Sequence, residues 1–172
     1  LNSNFDNEKE INKYLNTFCI NEMSKRKWIT LKDSSSYTQN AMDLLDYLGI
    51  SNFDNINKYY NKKILYKKKD DADLNKIYLW IKRCDRIIMG REISDYKSSN
   101  LNLLLNELKI IRNNKFNEKE LIQLFNKYGI YLVIEDALPS TKIRGCSMVK
   151  GNNPCIYITR YFEEKASFYF TL

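Results

Sequence analysis

Histidine is absent from this sequence of 172 residues. Its absence excludes a Ser-His-Asp triad, a Cys-His dyad and any metal site with an imidazole ligand within the sequence. Glycine and proline are scarce, at 5 and 2 residues, so there are too few turn formers for a many-stranded sandwich or barrel, and helices are favoured. A continuous apolar stretch of about 18 residues is also missing, so the sequence predicts no membrane-spanning helix.

Cysteine is present, but its spacing excludes two further kinds of site. Cys19, Cys84, Cys146 and Cys155 form no C-x-x-C pair and show no metal-ligand spacing. Arg144 near Cys146 suggests a reactive thiolate as one alternative. Without a histidine base, a buried strand cysteine is the favoured interpretation. We therefore expect four reduced thiols in a cytoplasmic protein.

Positive charge is in excess, because 28 lysines and arginines face 21 aspartates and glutamates and give a net charge of +7. Such a balance favours polyanionic or acidic partners. Much of it lies in residues 58–69, which we predict to be the solvated face of a lysine-rich helix. The alternative is weak, sequence-independent contact with nucleic acid, or contact with an acidic protein. The candidate contact residues are Lys58, Tyr59, Lys62, Lys63, Tyr66, Lys67, Lys68 and Lys69.

Apolar residues recur at three- and four-residue spacings over most of the first 128 residues, which predicts a series of helices. Asp6 and Asn117 suit N-cap positions, and Glu120 completes a capping-box pattern with Asn117. Gly49 and Gly129 suit helix ends, because a residue without Cβ readily takes a positive φ. The predicted helices span 6–23, about 41–48, about 52–68, about 70–88, 101–111 and 117–128.

The helix predicted over 101–111 has a regular apolar stripe. Its members are Leu101, Leu104, Leu105, Leu108 and Ile111. Since residues three and four apart share one side of a helix, we expect this stripe to face the core.

The pattern changes to strands after residue 129. Residues 130–134 are rich in β-branched side chains, and 143–149 and 155–159 form two further segments of this kind, joined as a hairpin. If the turn is centred on 151–153, Cys155 faces Val149 and Cys146 faces Ile158. The sequence thus predicts an α+β, mostly helical protein, with a helical region at 1–115 and an α+β unit at 116–172. We expect the sheet of that unit to be three-stranded and of antiparallel type.

Two acidic groups are candidates for chemistry. Glu163 and Glu164 could supply a general acid or a nucleophile, but carboxylates in a first helical turn usually complement the helix dipole. Asp70, Asp71 and Asp73 could attract a divalent cation, yet the rest of the EF-hand spacing is missing. We interpret both groups as helix starts, so we predict no catalytic residue, no metal ligand and no bound cofactor.

Three segments of the last third follow a fixed order, which is a strand at 130–134 (IYLVI), a hairpin segment at 138–145 (LPSTKIRG) and a strand at 156–161 (IYITRY). This order resembles the ImmA/IrrE family of zinc metallopeptidase-like proteins, in which the hairpin has the pattern L-P-x-T-x-x-x-G. In the family a helix with an acidic start and an F-x-F-T run follows, similar to residues 163–172. The family then continues into H-E-x-x-H, which places two zinc-binding imidazoles on one helix face with a glutamate as base.

Three upstream segments are also similar, in order, to family members that follow a helix-turn-helix domain of the HigA-like antitoxin kind. They are residues 18–29 (FCINEMSKRKWI), 44–50 (LLDYLGI) and 79–85 (LWIKRCD). The sequence departs from the family at Cys19, Lys27 and Cys84, where the family favours Pro, Gly and small residues. These departures concern packing rather than chemistry.

The resemblance implies a bacterial transcriptional regulator or antitoxin whose peptidase-like domain cleaves, senses or binds a repressor or toxin. The zinc histidines and the catalytic glutamate have no counterpart here, so none is carried over, and zinc is expected only in a parent protein that continues into H-E-x-x-H. We expect a catalytically inert central fragment, a helical connector followed by the leading half of a zincin-like domain, that recognises such a partner. The alternatives are the basic binding module described above and a structural dimerisation region.

Self-association is a further expectation. Phe168, Phe170 and Leu172 lie on a predicted helix that is too short to be stable without tertiary support. The predicted hairpin also leaves a strand edge open to pairing. We therefore expect a homodimer formed through residues 155–172.

Overall fold

A computed structural model of the chain describes residues 8–32, 36–53, 65–68, 73–113 and 117–160. These residues form helices and one small mixed sheet, which confirms the predicted α+β, mostly helical class. The helices are α1 (Glu8–Thr17), α2 (Ile20–Lys25), α3 (Tyr37–Leu48), α4 (Leu74–Ile88), α5 (Leu101–Asn113) and α6 (Glu118–Lys127). The strands are β1 (Leu65–Lys68), β2 (Tyr131–Ile134), β3 (Ile143–Lys150) and β4 (Asn153–Ile158), and a 3-10 turn at Ser98–Asn100 precedes α5.

The chain divides into two compact units. The described part of the first comprises residues 8–32, 36–53, 73–83 and 138–141, and that of the second comprises 65–68, 84–113, 117–137 and 142–160. The predicted boundary after residue 115 lies inside the second unit, because Leu104 of α5 shares an apolar core with Leu121 and Phe125 of α6.

The first unit is a helical core with one break that the sequence did not indicate. The single helix predicted over 6–23 is two helices in the structure. Helix α1 ends at Thr17, and α2 begins after Cys19, whose φ is +53°. Phe18 and Ile20 are both buried. Residues two apart lie on nearly opposite sides of a straight helix, so the break allows both side chains to enter one core. Asp6 lies outside the described residues.

The sheet is larger and less regular than predicted. Its strand order is β1-β3-β4-β2, with β3 antiparallel to both β1 and β4, and β2 parallel to β4. The predicted three-stranded antiparallel-type sheet is therefore corrected to a four-stranded mixed one. Each strand of the hairpin has a second neighbour, β1 beside β3 and β2 beside β4. The prediction of an open hairpin edge is therefore wrong.

The hairpin register also differs from the prediction by one residue. Lys150 pairs with Asn153, so the loop has two residues, Gly151 and Asn152, instead of three. Gly151 has a φ of +58°, which suits the first central position of a tight hairpin turn. Cys146 consequently faces Tyr157, and Cys155 faces Met148. Because side chains alternate along a strand, this shift places both cysteines on the same face of the sheet.

One apolar core cluster of the second unit lies on the other face of the sheet. Leu132, Ile134 and Ile158 pack there with side chains from α5 and α6. Within the described ranges, no helix is long and apolar enough to cross a membrane.

Candidate functional site

The lysine-rich segment is the first predicted site, and its described part is a strand rather than the predicted helix. Tyr66, Lys67 and Lys68 lie on strand β1, so the predicted helix running to about residue 68 is wrong there. Pairing with β3 overrides the local helical preference, since tertiary context commonly decides such segments. The other candidates, Lys58, Tyr59, Lys62, Lys63 and Lys69, lie outside the described residues.

The pairing of β1 with β3 brings further cations next to this strand. Lys67 pairs with Gly145 and Lys68 with Ile143, so the register shifts and Arg144 has no opposite residue on β1. Such an extra residue is a β-bulge, a device that re-aims a side chain. Arg144 is exposed, and Lys142 beside it is half-buried with a φ of +53°. We call Lys67, Lys68, Lys142 and Arg144 the basic edge.

The backbone of the basic edge is anchored by a buried threonine. The amide of Thr159 donates to the carbonyl oxygen of Arg144 at 3.0 Å. Its hydroxyl lies 3.0 Å from the carbonyl oxygen of Ile143 and 3.1 Å from that of Arg144. Thr159 has no exposed surface. Thr159 therefore holds the backbone of the bulge in place, while the Arg144 side chain is exposed to solvent.

A polar cluster lies on the cysteine-bearing face of the sheet. The Tyr157 hydroxyl donates to Asp85 Oδ1 at 2.8 Å, and Lys150 Nζ lies 2.8 Å from Asp85 Oδ2. Burial, followed by the charge of Asp85, raises the pKa of Tyr157. The tyrosine thus stays neutral and acts as a hydrogen-bond donor, so this cluster ties the end of α4 to the hairpin.

The thiols beside this cluster are shielded rather than activated. Burial raises the pKa of Cys146, with the charge of Asp85 as a smaller cause in the same direction. Burial also raises the pKa of Cys155, against a smaller lowering by Lys150. The burial of Cys146 agrees with the favoured interpretation of a buried strand cysteine. All four cysteines are among the described residues, and none is in a disulfide.

Of the acidic residues proposed as candidates, one caps a helix and the others lie outside the described residues. Asp73 Oδ1 accepts from the amides of Asn75 and Lys76, at 3.0 and 3.2 Å, and so caps α4 as predicted. Asp70, Asp71, Glu163 and Glu164, like Phe168, Phe170 and Leu172, lie outside the described residues. In the part of the chain that the structure describes, no three His, Cys, Asp or Glu side chains are grouped to hold a metal ion.

Helix α5 carries the largest group of exposed apolar side chains among the described residues. Of its predicted core stripe, Leu104 is 2% exposed and Leu108 and Ile111 are partly buried. Leu101 and Leu105 are 43% and 44% exposed, so the prediction that they face the core is wrong. The core is narrower than the apolar stripe of this helix.

Two more apolar residues of α5 lie away from the core. Leu103 is 56% exposed and Ile110 is 63% exposed. They are seven residues apart, so they share one side of the helix, and Asn106 lies between them. We call Leu103 and Ile110 the α5 anchors.

Apolar packing of Leu104 with α6 holds α5 in place, and a polar contact with the end of α6 adds to it. Lys127 Nζ lies 2.8 Å from Glu107 Oε1, and the Tyr128 hydroxyl donates to the same carboxylate. The hydrogen bond from Lys127, and then that from Tyr128, lowers the pKa of Glu107. The α5 anchors are therefore presented on a helix that is held in place.

Sequence reasoning missed the α5 anchors and half of the basic edge. Leu103 and Ile110 were visible as apolar residues off the stripe, a pattern typical of a helix with more than one contact. Lys142 and Arg144 gave no such signal, because their proximity to Lys67 and Lys68 depends on long-range strand pairing.

Comparisons of the chain with protein-family models, curated protein sequences and solved structures find no match.

Proposed function

We propose that this chain is a cytoplasmic, non-catalytic recognition component of a regulatory protein, and that it binds a protein partner through the α5 anchors. The observation that carries the proposal is the exposure of Leu103 and Ile110 on one side of a fixed helix. Apolar residues seven apart are typical anchors of a helix that docks into a partner's groove. Concentrated apolar surface on an otherwise polar protein commonly marks a protein interface.

The partner class comes from the resemblance to the ImmA/IrrE family, which remains a prediction. The observed order of α6, β2 and the β3–β4 hairpin agrees with the order of elements in that resemblance and so supports it. On this basis the partner is a repressor or a toxin. We also retain the predictions that the chain hydrolyses no peptide bond and holds no zinc.

The experiment titrates a panel of purified repressors and toxins against the whole chain by calorimetry. We expect one of them to bind. The double substitution Leu103→Asp and Ile110→Asp should weaken binding by about 100-fold, because burying each anchor contributes on the order of 1–2 kcal/mol and the new charges are costly to desolvate.

The matched control is Lys119→Gln with Asn152→Asp, which lowers the net charge by the same two units at exposed residues of α6 and of the hairpin loop, outside α5. It should retain most of the affinity. Equal losses in the two double variants, or no binding by any of the candidates, would contradict the proposal.

A further inference from the structure

We propose that Cys146, Met148 and Cys155 form a binding site for one Cu(I) ion, and we call these three residues the sulfur site. The inference is independent of the proposed function, because it uses neither of the α5 anchors. From the sequence no metal ligand was expected, since the three side chains come together only through the pairing of β3 with β4.

The first argument is the placement of the three residues on one face of the hairpin. Met148 pairs with Cys155, and such opposite residues have Cα atoms about 4.5–5.5 Å apart. Cys146 lies two residues before Met148, about 7 Å along the same strand and on the same face. Cys146 and Cys155 are diagonal neighbours, with Cα atoms about 7–8 Å apart and Cβ atoms somewhat closer. The three sulfur atoms can therefore reach one common point between the strands.

The second argument is that this spacing suits a metal ion better than a disulfide. A disulfide needs Cβ atoms about 3.5–4.5 Å apart, which diagonal positions exceed. Neither cysteine is in a disulfide. A metal ion between two thiolates, with metal–sulfur bonds of about 2.3 Å, separates the two sulfur atoms by up to about 4.6 Å. That extra length bridges the offset between Cys146 and Cys155.

The third argument concerns the choice of metal. Thiolate and thioether sulfur are ligands that Cu(I) prefers. Zinc takes four ligands, and within the described ranges no third His, Cys, Asp or Glu side chain joins the two thiols to hold a metal. Cys146 and Cys155 are 6% and 0% exposed, so the two thiols are shielded from water. Met148 is half-buried and leaves a route from solvent.

Lys150 prepares Cys155 for binding as a thiolate. Burial raises the pKa of Cys155, and the charge and the backbone amide of Lys150 are among the smaller causes that lower it. Asp85 holds the Lys150 ammonium at 2.8 Å. The thiol itself donates only a long hydrogen bond, to the carbonyl oxygen of Asn153 at 3.8 Å. Binding forms three copper–sulfur bonds and releases both thiol protons to solvent, with no change in the oxidation state of copper or sulfur.

The fourth argument separates a metal site from ordinary packing. Cysteine and methionine also fill cores as soft apolar side chains. The chain has 4 cysteines and 4 methionines in 172 residues, yet three of these eight lie at neighbouring positions of one hairpin face. The opposite face of β3 and β4, which includes Ser147 and Ile156, carries no sulfur. This segregation fits a site for a soft metal better than it fits packing alone.

The test titrates the whole reduced chain, without oxygen, with Cu(I) supplied as its acetonitrile complex in competition with the chelator bicinchoninate. We expect one Cu(I) per chain and release of about two protons for each ion bound. Cys146→Ala and Cys155→Ala should each weaken binding by about 100-fold and Met148→Leu by about 10-fold, the range over which loss of a metal's partners acts. X-ray absorption should show a first coordination shell of sulfur only.

The matched controls are Cys19→Ala and Met42→Leu, which make the same changes at a half-buried cysteine and an exposed methionine outside the sulfur site. Their Cu(I) affinities should equal that of the wild type within error. Met148→Leu keeps the volume of the side chain, so it tests the thioether without opening a cavity. Thermal melting of every variant keeps loss of binding separate from loss of folding.

Three results would overturn the inference. They are no retention of Cu(I) against bicinchoninate, equal losses of affinity in the site and control variants, and a copper shell that contains nitrogen or oxygen with fewer than two protons released. The last result would show that copper binds elsewhere on the chain.

Discussion

Two glycines with the same backbone conformation separate the effect of φ from the effect of packing. Gly90 and Gly129 have φ values of +76° and +74°. A Cβ on Gly129 would lie 2.5 Å from the amide nitrogen of Tyr96 and 2.6 Å from the carbonyl oxygen of Ser94, whereas one on Gly90 would meet open space. The loop before α5 thus approaches the end of α6 too closely for any side chain.

We therefore expect Gly90→Ala to lower the free energy of unfolding by about 1–2 kcal/mol, the cost of a left-handed alanine. Gly129→Ala should cost about 1–3 kcal/mol more, because the backbone of residues 94–96 must move. Urea denaturation of both variants measures the difference. Equal losses would show that the loop moves away at little cost.

The buried thiols make stability depend on pH in the alkaline range. Burial raises the pKa of Cys146 above the ordinary thiol value of 9.0. Below pH 9 the folded and unfolded chains both keep this proton. Above pH 9 only the unfolded chain loses it, so the free energy of unfolding should fall as pH rises, by up to about 1.4 kcal/mol per pH unit.

Cys146→Ala removes this titration. Urea midpoints should therefore fall less steeply between about pH 9 and pH 10 in the variant than in the wild type. The remaining slope belongs to groups such as Cys155, whose pKa is raised in the same direction. Identical slopes in the two proteins would show that Cys146 is accessible to solvent.

At the scale of elements, local signals were predicted well and long-range pairings were not. The Asn117 cap and the helix ends at Gly49 and Gly129 follow from rules within one turn of helix, and the structure shows them. The end of the lysine-rich segment was predicted as a helix, because its strand conformation depends on β3, some eighty positions later in the chain. The parallel β2–β4 pair and the one-residue hairpin shift are likewise set by tertiary packing.

The Asn117 cap allows a test at this scale. Its side chain accepts from the amides of Lys119 and Glu120, at 3.0 and 3.4 Å. Asn117→Ala should destabilise the chain by about 0.5–2 kcal/mol and speed hydrogen exchange in the first turn of α6. Asn102→Ala on the exposed side of α5 is the control and should be neutral or slightly stabilising, since alanine favours helix. A neutral Asn117→Ala would mean that packing of α6 alone fixes its start.

At the scale of the whole molecule, the net charge of +7 acts in opposite directions on two kinds of association. It attracts polyanions, and salt weakens that attraction by screening and by counterion release. It repels a second copy of the chain, and salt weakens that repulsion too. Salt dependence therefore distinguishes nucleic-acid binding from self-association without knowledge of either interface.

The salt dependence of association is a direct test of the predicted homodimer. The open hairpin edge no longer supports it, because β1 and β2 flank the hairpin, so the prediction now depends on burial of Phe168, Phe170 and Leu172. Apolar burial is insensitive to moderate salt while the opposing repulsion is screened. We therefore expect sedimentation equilibrium to show a dimer at micromolar concentrations, with a dimer fraction that rises from about 50 to about 200 mM salt.

Replacing those three residues by serine should abolish the dimer, because each buried aromatic or leucine side chain contributes on the order of 1.5–3 kcal/mol. Leu103→Asp with Ile110→Asp should leave the dimer unchanged, since the α5 anchors are assigned to a different partner. A dimer lost in the α5 variant and kept in the serine variant would transfer self-association to α5. A monomer at every salt concentration would show that apolar burial does not overcome the repulsion between two chains of net charge +7. The dimer prediction would then be wrong.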